Sequence, residues 1–237
     1  INVANPWYVA NSSPDYFTPY VVCGWVASGG YYQVPRTGNA MAGAIMYFNS
    51  PPCSENEYIG VPLVDTLEVG MQYYVSFYVS LANMSQYAVD EIGAYFSLDS
   101  LISPTLDTCF YPVVPQVAGY NAAFYTDTVD WMLVQGSFVA VGNEKYMTIG
   151  NFHDFSNTNT TMLTGNYQGA YYLIDDICVS KDSTTCLDNI GLIEIAKPNK
   201  TLFRIVDTMG RETEDKPNTL LIYIYSDGTT EKVFRVE

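Results

Sequence analysis

The sequence predicts an all-β protein in two parts: a jelly-roll β-sandwich followed by a small antiparallel β-sandwich C-terminal domain. Three observations predict it. Apolar residues recur at every second position over several runs, no stretch keeps a helical period of 3.6 over three turns, and charge is divided unevenly along the chain. Residues 1–186 carry sixteen acids against three bases (Arg36, Lys145, Lys181), a net of −13, whereas residues 187–237 carry nine acids against seven bases, a net of −2. Nineteen of the twenty-one tyrosines also fall in the first part, and Lys197-Pro198-Asn199 punctuates the junction as a turn signal does. The linker is placed near Cys186 to Asn189, giving a body of residues 1–186 and a tail of residues 190–237.

In the body the clearest strand is the run from Met71 to Leu81. There Met71, Tyr73, Val75, Phe77, Val79 and Leu81 alternate with Gln72, Tyr74, Ser76, Tyr78 and Ser80, a pattern that buries one face. Further strands are expected at Ile92–Leu98, Trp131–Val141, Tyr146–Phe152 and Ala170–Val179, with Gly and Pro turns between them. Such strands, in a segment long enough for one sizeable core, build two antiparallel sheets packed face to face.

In the tail, apolar and β-branched runs at Leu192–Ala196, Thr201–Val206, Leu220–Tyr225 and Lys232–Val236 are separated by turn chemistry. Asp227-Gly228 reads as the turn of a hairpin between the last two. This tail resembles the C-terminal sorting domain of the type IX secretion system, the outer-membrane export route of the Bacteroidetes. Pro198-Asn199, the block IVDTMGRE (Ile205 to Glu212) and the closing LLIYIYSDGTTEKVFRVE carry the resemblance. It implies that Asp207, Gly210, Arg211, Asp227, Gly228 and Lys232 belong to an export signal. It further implies that the translocon and its outer-membrane shuttle protein are partners, and that the destination is the cell surface or the medium.

The body is similar to carbohydrate-binding-module jelly rolls found as passengers of secreted Bacteroidetes proteins. The carrying segments are PDYF (Pro14 to Phe17), the glycine run Gly38 to Gly43, Glu57 to Ala82, IGAYFS (Ile92 to Ser97), Asp130 to Phe152 and YYLIDDICVS (Tyr171 to Ser180). Such domains open with an Asn-Pro-x-Phe-Glu strand, and Asn5-Pro6-Trp7 lacks the last two residues. The chain is therefore expected to begin after the true first strand. In that family the Ile-Asp-Asp-aliphatic strand supplies ligands to a structural calcium, which implies Asp175 and Asp176 as metal ligands. Adjacent strand residues point to opposite faces, so one of the two carboxylates is expected to face inward and to need a cation.

Glycan binding would use aromatic platforms, and Trp7, Tyr8, Trp25, Tyr31, Tyr32 and Tyr125 are candidates by their loop context. Trp131, at the head of a long alternating strand, reads as packing. Five cysteines leave an odd count. Cys178 and Cys186 are close enough for a local clip, Cys53 and Cys109 make a plausible second pair, and Cys23 lacks a partner; free buried thiols are the alternative.

The acidic body argues against nucleic acid as a partner, and no run reaches the roughly 20 apolar residues of a membrane span. No signal peptide is evident, so an exported chain is expected to be in processed form here. The single histidine, His153, lies just past a strand, and no nucleophile elbow, zinc motif or phosphate loop is present. A non-enzymatic surface protein is the expectation, with a glycan-active enzyme or an adhesive subunit as alternatives.

Overall fold

The computed structural model describes residues 6–11, 13–18, 33–51, 55–102, 112–187, 202–207, 209–225 and 230–234. The chain divides into two compact units, Ile1–Gly191 and Leu192–Glu237.

The first unit holds two five-stranded antiparallel sheets. One runs in the order β1 (Tyr8–Asn11), β4 (Tyr58–Pro62), β10 (Tyr146–Gly150), β7 (Glu91–Ser97), β8 (Val117–Tyr120). The other runs β2 (Asp15–Phe17), β3 (Met41–Phe48), β12 (Gly169–Ser180), β5 (Gln72–Leu81), β9 (Met132–Val139). A short ribbon pairs β6 (Tyr87–Val89) with β11 (Thr160–Met162), and one turn of helix, α1 (Ser183–Leu187), follows β12. The chain changes sheet at β1 to β2, β3 to β4, β4 to β5, β8 to β9 and β9 to β10. That crossing habit is the one a jelly roll requires.

The alternation in β5 works as expected on its inner side. Val75, Phe77 and Val79, with Met46 of β3 and Tyr172 and Ile174 of β12, meet Ile59 of β4, Ile92 and Phe96 of β7, and Met147 and Ile149 of β10. Burying each of these large side chains contributes about 1.5–3 kcal/mol. Glycine lets rings lie flat across the other sheet: a Cβ on Gly60 would sit 2.3 Å from the Tyr8 ring, and one on Gly150 would sit 2.3 Å from that of Tyr58.

The alternate face of β5 departs from the expectation, because it is buried as well. Ser76 and Ser80 are 1% and 0% exposed. Two segments remote in sequence cap this face in a row. Gln33 Nε2 donates to Ser80 Oγ at 2.9 Å, the Arg36 guanidinium lies 3.6 Å from the centre of the Tyr78 ring, and Ser76 Oγ donates to the Cys186 carbonyl at 2.9 Å. Polar residues on the outer side of a strand thus mark hydrogen-bonded cover here rather than contact with water.

In the second unit β13 (Leu202–Val206), β14 (Leu220–Tyr225) and β15 (Thr230–Phe234) form one antiparallel sheet in that order. The expected strand at residues 192–196 and the Asp227-Gly228 turn lie outside the described residues.

Candidate functional site

The chemistry-bearing part of the body is the second half of β12. Its pairing with β5 shifts register between Asp175 and Cys178, so one extra residue is accommodated there. Asp176 takes up the bulge with a φ of 50°, in the left-handed region. The bulge overturns the expectation that the two carboxylates point to opposite faces. Both reach the same two residues: Asp175 Oδ2 accepts from the backbone N–H of Arg36 at 2.7 Å and of Thr37 at 3.4 Å, while Asp176 accepts from the Arg36 guanidinium and the Thr37 hydroxyl.

The pair therefore has a cation, and it is an arginine. Arg36 and Asp176 have side chains 12% and 11% exposed, so the ion pair is largely withdrawn from water. Asp175 Oδ1 also accepts from the Asp176 N–H at 2.8 Å, which leaves all four carboxylate oxygens engaged. Burial, opposed by the Asp176 N–H and reinforced by the neighbouring Asp176 charge, raises the Asp175 pKa above the ordinary carboxylate range. Calcium takes about six to eight oxygens, and among the described residues no group of three His, Cys, Asp or Glu side chains assembles a metal site. The residues around Asp175 and Asp176 do not fit that ion while Arg36 is in place.

Two cavities open beside this strand. One, of about 440 Å³, is lined by Trp7, Tyr16, Met41, Ile174, Asp175 and Asp176 among others. The second, of about 810 Å³, is walled by Val61 to Glu68, Tyr73, Met147, Val179 and Lys181. The half-buried Trp7 and Ile177 line both, so the two cavities adjoin there. Volumes of this size are typical of ligand sites, roughly 300–1,000 Å³, and the walls mix apolar side chains with carboxylates, hydroxyls and one lysine. At the rim of the larger cavity Lys181 Nζ lies 2.5 Å from Glu68 Oε1.

Of the aromatic candidates, Trp7 alone among the described residues lines these cavities. Tyr8 lies on Gly60 and meets Tyr146 edge-on at 6.3 Å, as part of the outer packing of its sheet. Tyr125 is corrected to a core residue: it is 3% exposed, its hydroxyl donates to the Gly119 carbonyl at 3.0 Å, and burial pushes its pKa up to about 12. Trp25, Tyr31 and Tyr32 lie outside the described residues, as do Cys23, Cys53 and Cys109. Trp131 is half-buried against Leu173 and its neighbours, as packing requires. Sequence reasoning passed over Arg36, Tyr16 and Tyr73. For Arg36 a signal existed, since it is one of only three basic residues in the first 186.

Cys178 and Cys186 form a disulfide with Cα atoms 5.4 Å apart. It ties α1 to β12, and the Cys186 carbonyl in turn holds Ser76 of β5. His153 Nε2 sits 3.0 Å from Glu91 Oε1, away from the residues that line the cavities.

In the tail, Asp207, Gly210 and Arg211 make one self-closed turn. Asp207 Oδ1 accepts from the N–H groups of Met209 and Arg211 at 2.9 and 3.0 Å, Arg211 Nε donates to Asp207 Oδ2 at 2.8 Å, and Gly210 has a φ of 79°. The Arg211 N–H, foremost, holds the Asp207 pKa below its usual value. Lys232 is exposed on β15 opposite Ile222.

The fold and site define a two-sheet antiparallel β-sandwich carrying two adjoining cavities that share Trp7, joined to a small three-stranded unit. Among solved structures it is similar to the CBM22-1 xylan-binding domain from Paenibacillus barcinonensis Xyn10C, at 14% identity and a TM-score of 0.41, over 73% of this chain and 83% of that one. It is also similar to the K1 cleaved adhesin domain of Lys-gingipain from Porphyromonas gingivalis W83, at 12% identity and a TM-score of 0.39, over 74% of this chain and 90% of that one. No family model matches the chain, and no curated protein matches it.

Proposed function

We propose that this is a secreted, non-enzymatic cell-surface protein whose body binds a glycan in the double cavity and whose tail is a type IX export signal. The observation that carries the binding half is the placement of Trp7: a tryptophan lining two adjoining cavities with carboxylates and hydroxyls at their walls suits a ligand with apolar faces and polar edges. The tail half rests on its sequence resemblance and on a compact unit of its own. The disulfide suits an oxidising compartment. Among the described residues no helix is long and apolar enough to cross a membrane.

Binding is tested by affinity electrophoresis and calorimetry of the full chain on a polysaccharide panel, with Trp7→Ala beside it. Retention without turnover, lost in the variant, is the expected result. Release of reducing ends would favour the glycan-active enzyme instead. Export is tested by fusing residues 190–237 to an unrelated periplasmic protein in a type IX-competent cell. Failure of that fusion to reach the surface overturns the tail reading.

A further inference from the structure

Resting on the glycan reading, we infer that the ligand is an extended, uncharged polysaccharide and that the site rejects uronic-acid and sulfated chains. Length comes from β12. Its residues Ile174 to Ile177 line the first cavity, and Ile177, Val179 and Ser180, with Lys181 just past its end, line the second. The two cavities adjoin at Trp7 and Ile177, so a ligand filling both spans more than one sugar ring.

Charge selection comes from what lines the cavities. The lining carries the carboxylates of Asp65, Glu68, Asp175 and Asp176, and outside the Arg36–Asp176 and Lys181–Glu68 pairs the negative surplus is that of Asp65 and Asp175. The cations nearby are already committed. Arg36 is held by Asp176 and Lys181 by Glu68. The surrounding body adds to the same field, with sixteen acids against three bases in residues 1–186. A polyanion approaching this trough meets like charge at every scale, a cost that matched neutral chains avoid.

Matched polymers test this on the full chain at low ionic strength: hydroxyethyl cellulose against carboxymethyl cellulose, methyl-esterified against de-esterified homogalacturonan, and neutral oligosaccharides of two to six units. Neutral members should bind at least tenfold tighter than their acidic counterparts, and hexamers at least tenfold tighter than dimers. The gap between neutral and acidic members should narrow in Glu68→Gln, which leaves Lys181 without its acid on an exposed rim where folding is little affected. Equal binding of acidic and neutral partners overturns the charge selection, and equal binding of dimers and hexamers overturns the extended ligand, while the glycan reading survives both. Absence of binding to every member overturns the glycan reading and this inference with it.

Discussion

The guanidinium of Arg36 is held by the carboxylate of Asp176, 140 residues further along the chain, while the same guanidinium lies over the Tyr78 ring. One side chain thus joins the 33–37 segment to the bulge of β12 and to the outer face of β5. It serves as ion partner, hydrogen-bond donor and ring cover together.

Removing that side chain leaves Asp176 buried without its cation. Arg36→Met should lower the stability of the body by about 3 kcal/mol, the range found when one partner of a buried pair is lost. Arg36→Met with Asp176→Leu should recover a good part of it. Denaturant midpoints of the two variants and the wild type decide the matter, and an Arg36→Met protein as stable as the wild type would show that the pair contributes nothing.

Asp175 gives a pH dependence with a definite sign. Its folded pKa is raised, chiefly by burial, above the ordinary value near about 4. A raised pKa contributes stability that is fully present below the unfolded pKa and is lost as pH rises through the folded one. Relative to Asp175→Asn, the wild type should therefore gain melting temperature as pH falls from neutral towards 4. A difference that stays flat, or that runs the other way, would refute the assignment. Glu57, 2% exposed and raised in pKa by burial, should act in the same direction, and it is present in both proteins.

How much of this could be read beforehand depends on whether the signal was local. The inward face of β5 was legible because Val75, Phe77 and Val79 follow strict alternation, and two apolar faces in water have few other ways to hide. The bulge was legible too, though it was passed over. Apolar inward positions at Tyr172 and Ile174 are followed by Ile177 and Val179, a step of three where two is regular. Arg36 as the partner was not legible, since no local pattern ties residue 36 to residue 176. Tyr125 failed for a related reason. Its loop folds under the sandwich, its N–H donating to the Val89 carbonyl at 3.0 Å, and a loop-like sequence does not reveal a buried path.

Calcium can be weighed against arginine directly. With every oxygen of Asp175 and Asp176 already engaged, chelation should leave the melting temperature of the wild type unchanged. A fall on chelation, reversed by added calcium, would mean that the ion displaces Arg36.

The disulfide closes a short loop, with a sequence separation of 8 between Cys178 and Cys186. Replacing both cysteines by alanine should cost about 2 to 3 kcal/mol. Peptide mapping without reductant should recover the two as one linked species. Two free thiols in the native protein would remove both statements.

That same bond decides how the body bears tension. A pull entering from the C-terminal side reaches Leu187 and then, through sulfur at Cys186, passes straight to Cys178, which is paired with Ser76 of β5, beyond the stretch from Gly169 to Ile174 that pairs with β3. Residues 179–185 become a slack branch in parallel with a covalent shortcut. Val179 and Ser180, paired with Val75 and Tyr74, are then spared the load and are not the first to be peeled away, so an oxidised body should tolerate a load that a reduced one yields to.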